Sequence, residues 1–143
     1  MNILAAILVV ASTSLHITVW PDGMGQPAKK VYTLKCAPVG GTLPKRAAAC
    51  TKLMRATRPF APTPQGMACT MIYGGPQEAL VTGHFRGKLV RARFSRKDGC
   101  ELARWNRVLF LFPGASANSR LEPGARTRRR SHAQTDPPGI DAK

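Results

Sequence analysis

The chain has 143 residues, room for one domain rather than two, and its apolar fraction of 43% is enough to pack a single core. Apolar runs are short and broken, and none is long enough for a membrane-spanning helix. Net charge is +15, and the first 113 residues carry 16 basic against 4 acidic groups, so the folded part itself is basic and suits an acidic partner: nucleic acid, a cell envelope or an acidic protein.

The opening stretch MNILAAILVVASTS is apolar and ends in small residues, with Val9 and Ala11 fitting a Val-x-Ala cleavage site, but it lacks a positive leading segment. It is read as a leader or its remnant over 1–13. In SLHITVWPDG, Leu15, Ile17 and Val19 alternate with polar partners and a Pro-Asp-Gly turn follows, which predicts a strand. KKVYTLKC alternates in the same way and predicts its antiparallel neighbour. The period then changes. In GGTLPKRAAACTKLMRATRP, Thr42 is a candidate N-cap, and Ala47, Cys50, Leu53, Met54 and Thr57 recur at helical spacing until Pro59. An irregular segment with three prolines leads into GMACTMIYGGP. Beyond it a hairpin is predicted, with arms over 79–82 and 88–95 and a turn over 83–87; Val90, Ala92 and Phe94 share one face, opposite Arg91 and Arg93. ELARWNR predicts a short helix, and VLFLF (108–112) a buried final strand. The remainder, 113–143, is rich in small, charged and turn residues and is expected to be a disordered basic tail. Strands mixed with one or two helices, with no β-α-β alternation, predict an α+β domain over 14–112 with about five antiparallel strands.

Cysteines stand at 36, 50, 69 and 100, separated by 14, 19 and 31 residues, with no Cys-x-x-Cys pair to suggest a zinc ribbon or a redox site. Four in a small basic chain suit two disulfides and an extracytoplasmic location, with three pairings open. Catalysis is not expected: the histidines are His16, His84 and His132, scattered over a strand, a turn and the tail, and suggest no triad. No phosphate-binding glycine loop is present, and no cofactor or metal is expected. Residues 86–97 offer Arg86, Lys88, Arg91, Arg93, Arg96 and Lys97 between Phe85 and Phe94, which with RTRRR in the tail makes a nucleic-acid- or anionic-surface-binding module the alternative function. Strand alternation weighs against it, because it sends Phe94 inward and the arginines outward, as on an ordinary solvated strand face.

Specificity resides in an ordered set of short pieces. Cys36 is followed by Gly40-Gly41-Thr42-Leu43-Pro44, then Ala49-Cys50, then Cys69-Thr70-Met71-Ile72-Tyr73, then Gly83-His84-Phe85-Arg86-Gly87, then Phe94 before Cys100, and finally Phe110-Leu111-Phe112. The set resembles the Streptomyces subtilisin inhibitor family across nearly the whole predicted domain. After Tyr73 the chain departs from the family's usual Tyr-Asp-Pro and reads Gly74-Gly75-Pro76, one residue longer.

That resemblance implies a secreted, extracellular inhibitor, commonly a homodimer, with disulfides Cys36–Cys50 and Cys69–Cys100. It implies a protruding loop (Ala68, Cys69, Thr70, Met71, Ile72, Tyr73) that subtilisin-like serine proteases bind as if it were substrate. The reactive bond would join Met71 to Ile72, with Met71 in the primary specificity pocket and chymotrypsin-like proteases as secondary partners. The residue chemistry agrees: Met71 is unbranched and polarizable, and β-branched Thr70 and Ile72 favour extended backbone.

Overall fold

The computed structural model describes residues 11–115. The leader expected over 1–13 lies outside the described residues as far as residue 10, and the tail expected over 113–143 lies outside them from residue 116.

Alternation of apolar and polar residues sets the first strand. In β1 (Thr13–Trp20), Leu15, Ile17 and Val19 are buried while Ser14 and His16 face solvent. β2 (Lys30–Cys36) lies antiparallel to it, with Leu15 opposite Leu34 and Thr13 opposite Cys36. On the other side of β1 comes β4 (Glu78–Phe85), which forms a hairpin with β5 (Lys88–Phe94). A two-residue strand, β3 (Gly40–Gly41), edges β2, so the sheet runs β3-β2-β1-β4-β5 and is antiparallel throughout. The hairpin turn is tighter than predicted. Pairing extends through Phe85 and Lys88, so His84 belongs to a strand and only Arg86 and Gly87 turn.

Two helices cover the sheet at opposite ends: α1 (Arg46–Arg55) against β2 and β3, and α2 (Gly99–Arg107) against β5. Leu53 of α1 and Trp105 of α2 belong to one continuous core. Thr42 does not cap α1. It exchanges hydrogen bonds with Thr33 across the β2–β3 edge, its hydroxyl accepting from the Thr33 amide at 3.0 Å. Gly41 makes that approach possible: at φ +103° its backbone lies so close to β2 that a Cβ would sit 2.2 Å from the Thr33 carbonyl oxygen. The helix therefore starts later, after a left-handed Lys45, and its buried face is Ala49, Cys50 and Leu53. Ala47 and Met54, predicted on the apolar face, are exposed.

The final strand predicted over 108–112 is absent. Leu109–Leu111 forms a single 3-10 turn directly after α2. Its apolar run fills the core from a turn: Leu111 and Phe112 are buried, and the Phe112 ring lies 4.6 Å from that of Trp105 and 5.3 Å from that of Phe94. Disulfide Cys36–Cys50 ties the end of β2 to α1, and Cys69–Cys100 ties the long segment before β4 to α2.

Candidate functional site

Between Phe60 and β4 the chain runs without helix or strand and carries an unusual surface. Met71 is 94% exposed, Tyr73 68%, Ile72 59% and Met67 54%, four large apolar side chains on one segment of a small domain. Apolar side chains left in water in this number make the segment a candidate binding surface, because their exposure is unfavourable until a partner covers them. Ala68 and Thr70 are exposed beside them and Cys69 is half-buried. The six residues predicted for the loop are therefore consecutive and outward, except for the cysteine that anchors them.

The segment is exposed yet held at both flanks. Before Met71, Cys69 is bonded to Cys100, and the Gly99 amide donates to the Thr70 carbonyl at 2.9 Å. Gly99 and Cys100 open α2, where the sequence has a cap: the Asp98 carboxylate accepts from the Glu101 amide at 2.9 Å. The capped helix end thus points a fixed donor at the residue preceding Met71. After Ile72, the Gly74 amide donates to the Arg96 carbonyl at 2.7 Å. Each such bond contributes about 1 kcal/mol net. Further back, the Thr63 hydroxyl donates to Glu101 at 2.9 Å and Arg104 Nε donates to the Ala61 carbonyl at 3.0 Å. Glu101 and Arg104 pair with each other at 2.7 Å. One helix therefore supplies the disulfide partner, the main-chain donor and the ion pair that brace the entry to the loop.

Gly74 and Gly75, the longer stretch noted in the sequence, lie tight on the scaffold. A Cβ on Gly74 would come within 2.3 Å of the Leu102 side chain, so the main chain rests on α2 there. Among the described residues Cys69, Asp98 and Cys100 form a cluster with metal-ligand atoms, but its two sulfurs are bonded to each other and offer no thiolate.

The basic strip proposed for the alternative function divides in the fold. Arg86, Lys88, Arg91, Arg93 and Lys97 are exposed, whereas Arg96 is buried and hydrogen-bonded to Gln77. Phe94 is a core residue, and Phe85 packs edge-on against Phe60 at 5.4 Å. The strip therefore places Phe94 behind the sheet, away from its outward arginines, as strand alternation predicts. Sequence reasoning missed the Thr70–Gly99 and Gly74–Arg96 main-chain bonds and the bracing by Thr63, Glu101 and Arg104. One signal was available: Asp98-Gly99-Cys100-Glu101 has capping-box spacing and marks a helix start two residues before Glu101.

An exposed apolar loop, held on both flanks and carried by a small disulfide-bonded α+β domain, defines a presenting scaffold. The sequence profile described as subtilisin inhibitor-like matches residues 11–97, and the chain belongs to that family, whose members are protease inhibitors and not enzymes. Among solved structures the chain is similar to Streptomyces caespitosus sermetstatin, crystallised in complex with Bacillus licheniformis subtilisin. Identity is 25%, over 68% of this chain and 96% of that one, with a TM-score of 0.43. No curated protein matches. The pairing Cys36–Cys50 and Cys69–Cys100 stands as the resemblance implied.

Proposed function

We propose that the protein inhibits subtilisin-like serine proteases by offering the bond between Met71 and Ile72 as a substrate that is turned over extremely slowly. The observation that carries this reading is the 94% exposure of Met71 on a segment fixed immediately before and after it. Proteases engage extended backbone through main-chain hydrogen bonds and seat alternate side chains in pockets. An exposed, unbranched methionine matches a large apolar primary pocket, with chymotrypsin-like enzymes as secondary targets for the same reason.

Affinity follows from preorganisation. A flexible peptide loses conformational freedom when it binds, whereas this loop is already ordered by Cys69–Cys100 and the Thr70–Gly99 bond. Chemistry in the cleft then works against the protease. Its serine attacks the Met71 carbonyl, the peptide bond opens to an acyl-enzyme, and the proton passes to the nitrogen of Ile72. Both new ends remain tied to the domain, so the Ile72 amine re-attacks and the bond re-forms before water intervenes. The same reading places the protein outside the cell, as the family and the two disulfides favour, and it carries the expectation of a homodimer.

The test is titration of subtilisin with the oxidised protein, followed by mass spectrometry of the recovered inhibitor. Stoichiometric loss of activity and one cut, between Met71 and Ile72, is the expected result. Multiple cuts with no inhibition would refute the reading. Salt-sensitive binding to DNA without inhibition would support the basic-module alternative.

A further inference from the structure

The two flanks of the loop are secured by different means. The acyl side has a covalent tether. The amine side, from Ile72 to the start of β4, has residue 96. Its carbonyl receives the Gly74 amide at 2.7 Å, and its guanidinium Nη1 donates to Gln77 Oε1 at 2.9 Å. Between those contacts lies Gly75, at φ +126°, where a Cβ would meet Gln77 Oε1 at 2.3 Å and Arg96 Nη1 at 3.4 Å.

Arg96 is an improbable residue for stability alone. It is 4% exposed, its Nε has no hydrogen-bond partner among the described residues, and its guanidinium lies 5.9 Å over the Trp105 ring. The nearby carboxylates are engaged elsewhere: Glu101 by Arg104 and Thr63, and Glu78 by the Met24 amide at 2.5 Å. A buried cation without a carboxylate is disfavoured relative to an apolar side chain of the same volume. What this cation does is seize Gln77, the last residue before β4, and back the glycines that follow the reactive bond.

We infer that Arg96 is a positioning residue that holds the leaving-group side of the loop, residues 72–77, so that the amine freed from Ile72 stays in line to re-form the bond. This rests on the reactive bond proposed above. Arg96 touches neither reacting atom. Its effect is on the balance between cut and intact inhibitor, because an amine end released from its hold gains conformational freedom in the cut form that must be given up again when the bond re-forms.

The experiment uses the full chain and three variants. Arg96→Met keeps an unbranched, buriable stem and the main-chain carbonyl but removes the donors. Gln77→Ala removes only the acceptor and no core side chain, so it reports independently if Arg96→Met loosens the core. Arg96→Lys restores a donor. With subtilisin present, the cleaved-to-intact ratio at equilibrium should rise about tenfold in Arg96→Met and in Gln77→Ala, no further when the two are combined, and less in Arg96→Lys. In the free protein, backbone order parameters across 72–75 should fall from about 0.85 toward 0.6 in the first two variants, while those at 69 and 70 hold. Wild-type ratios and wild-type order parameters in both variants would overturn the inference. If the wild-type protein is never cut between Met71 and Ile72, the reactive-bond reading fails; the order parameters then still decide the latch, a fall supporting it and no change overturning it.

Discussion

Removing the disulfide Cys69–Cys100 separates the rigidity of the loop from the stability of the domain. The bridge closes a sequence separation of 31, for which the chain-entropy relation gives about 3.7 kcal/mol at 25 °C. Both cysteines are half-buried, so Cys69→Ala/Cys100→Ala opens little cavity and that figure is the main stability term. Cys36–Cys50 closes a separation of 14, worth about 3.0 kcal/mol on the same basis. Its cysteines are buried, 7% and 6% exposed, so Cys36→Ala/Cys50→Ala also loses packing and should match or exceed the first variant in destabilisation. Inhibition should behave oppositely. Freeing residues 69–71 restores backbone freedom that must be removed again on binding, about 1–2 kcal/mol per residue, or about 3–6 kcal/mol in all. The Thr70–Gly99 hydrogen bond offsets about 1 kcal/mol of this. Loss of Cys69–Cys100 should therefore weaken subtilisin inhibition by about 30-fold or more and turn the protein into a substrate, while loss of Cys36–Cys50 changes inhibition by less than about threefold. Urea unfolding measures the first quantity. Titration against a chromogenic peptide at 10–15 °C, roughly where such domains are most stable, measures the second. Equal inhibition by both variants would refute the argument that the second bridge preorganises the loop.

Met71→Lys should gain inhibition of trypsin-like enzymes by about 100-fold and lose a comparable factor against subtilisin, read from paired inhibition constants; an unchanged target spectrum would remove Met71 from the primary pocket. Asp98→Ala removes the cap of α2 and should cost about 1 kcal/mol in urea unfolding, with faster hydrogen exchange at the Gly99 amide that holds Thr70. Trp105→Ala empties a fully buried site packed against Phe112 and should cost about 3–5 kcal/mol, lowering the thermal midpoint in calorimetry by about 12 °C or more.

The sheet was legible because its outer face meets water. Leu15, Ile17 and Val19, and again Val90, Ala92 and Phe94, alternate with exposed partners, and a period of two admits one assignment. VLFLF was not legible, since a continuous apolar run reports burial without reporting backbone shape; here Leu111 and Phe112 enter the core from a 3-10 turn. The start of α1 was misplaced because Thr42 is good chemistry for a cap and equally good for a cross-strand bond with Thr33, a choice settled by the close approach at Gly41. The outward loop residues came from the ordered family pattern around Cys69. Arg96 escaped because a basic residue past the end of a strand reads as solvated, and its acceptor, Gln77, lies 19 residues earlier, on the chain leading into the neighbouring strand β4.

At the tip of the loop, the side chain of Met71 is almost wholly surrounded by water. A group with so few neighbours has almost no vote in whether the domain folds. On the function proposed above, recognition and architecture are thereby decoupled, and the residue at this one position can be redesigned to meet a new enzyme while the scaffold beneath it stays as it is.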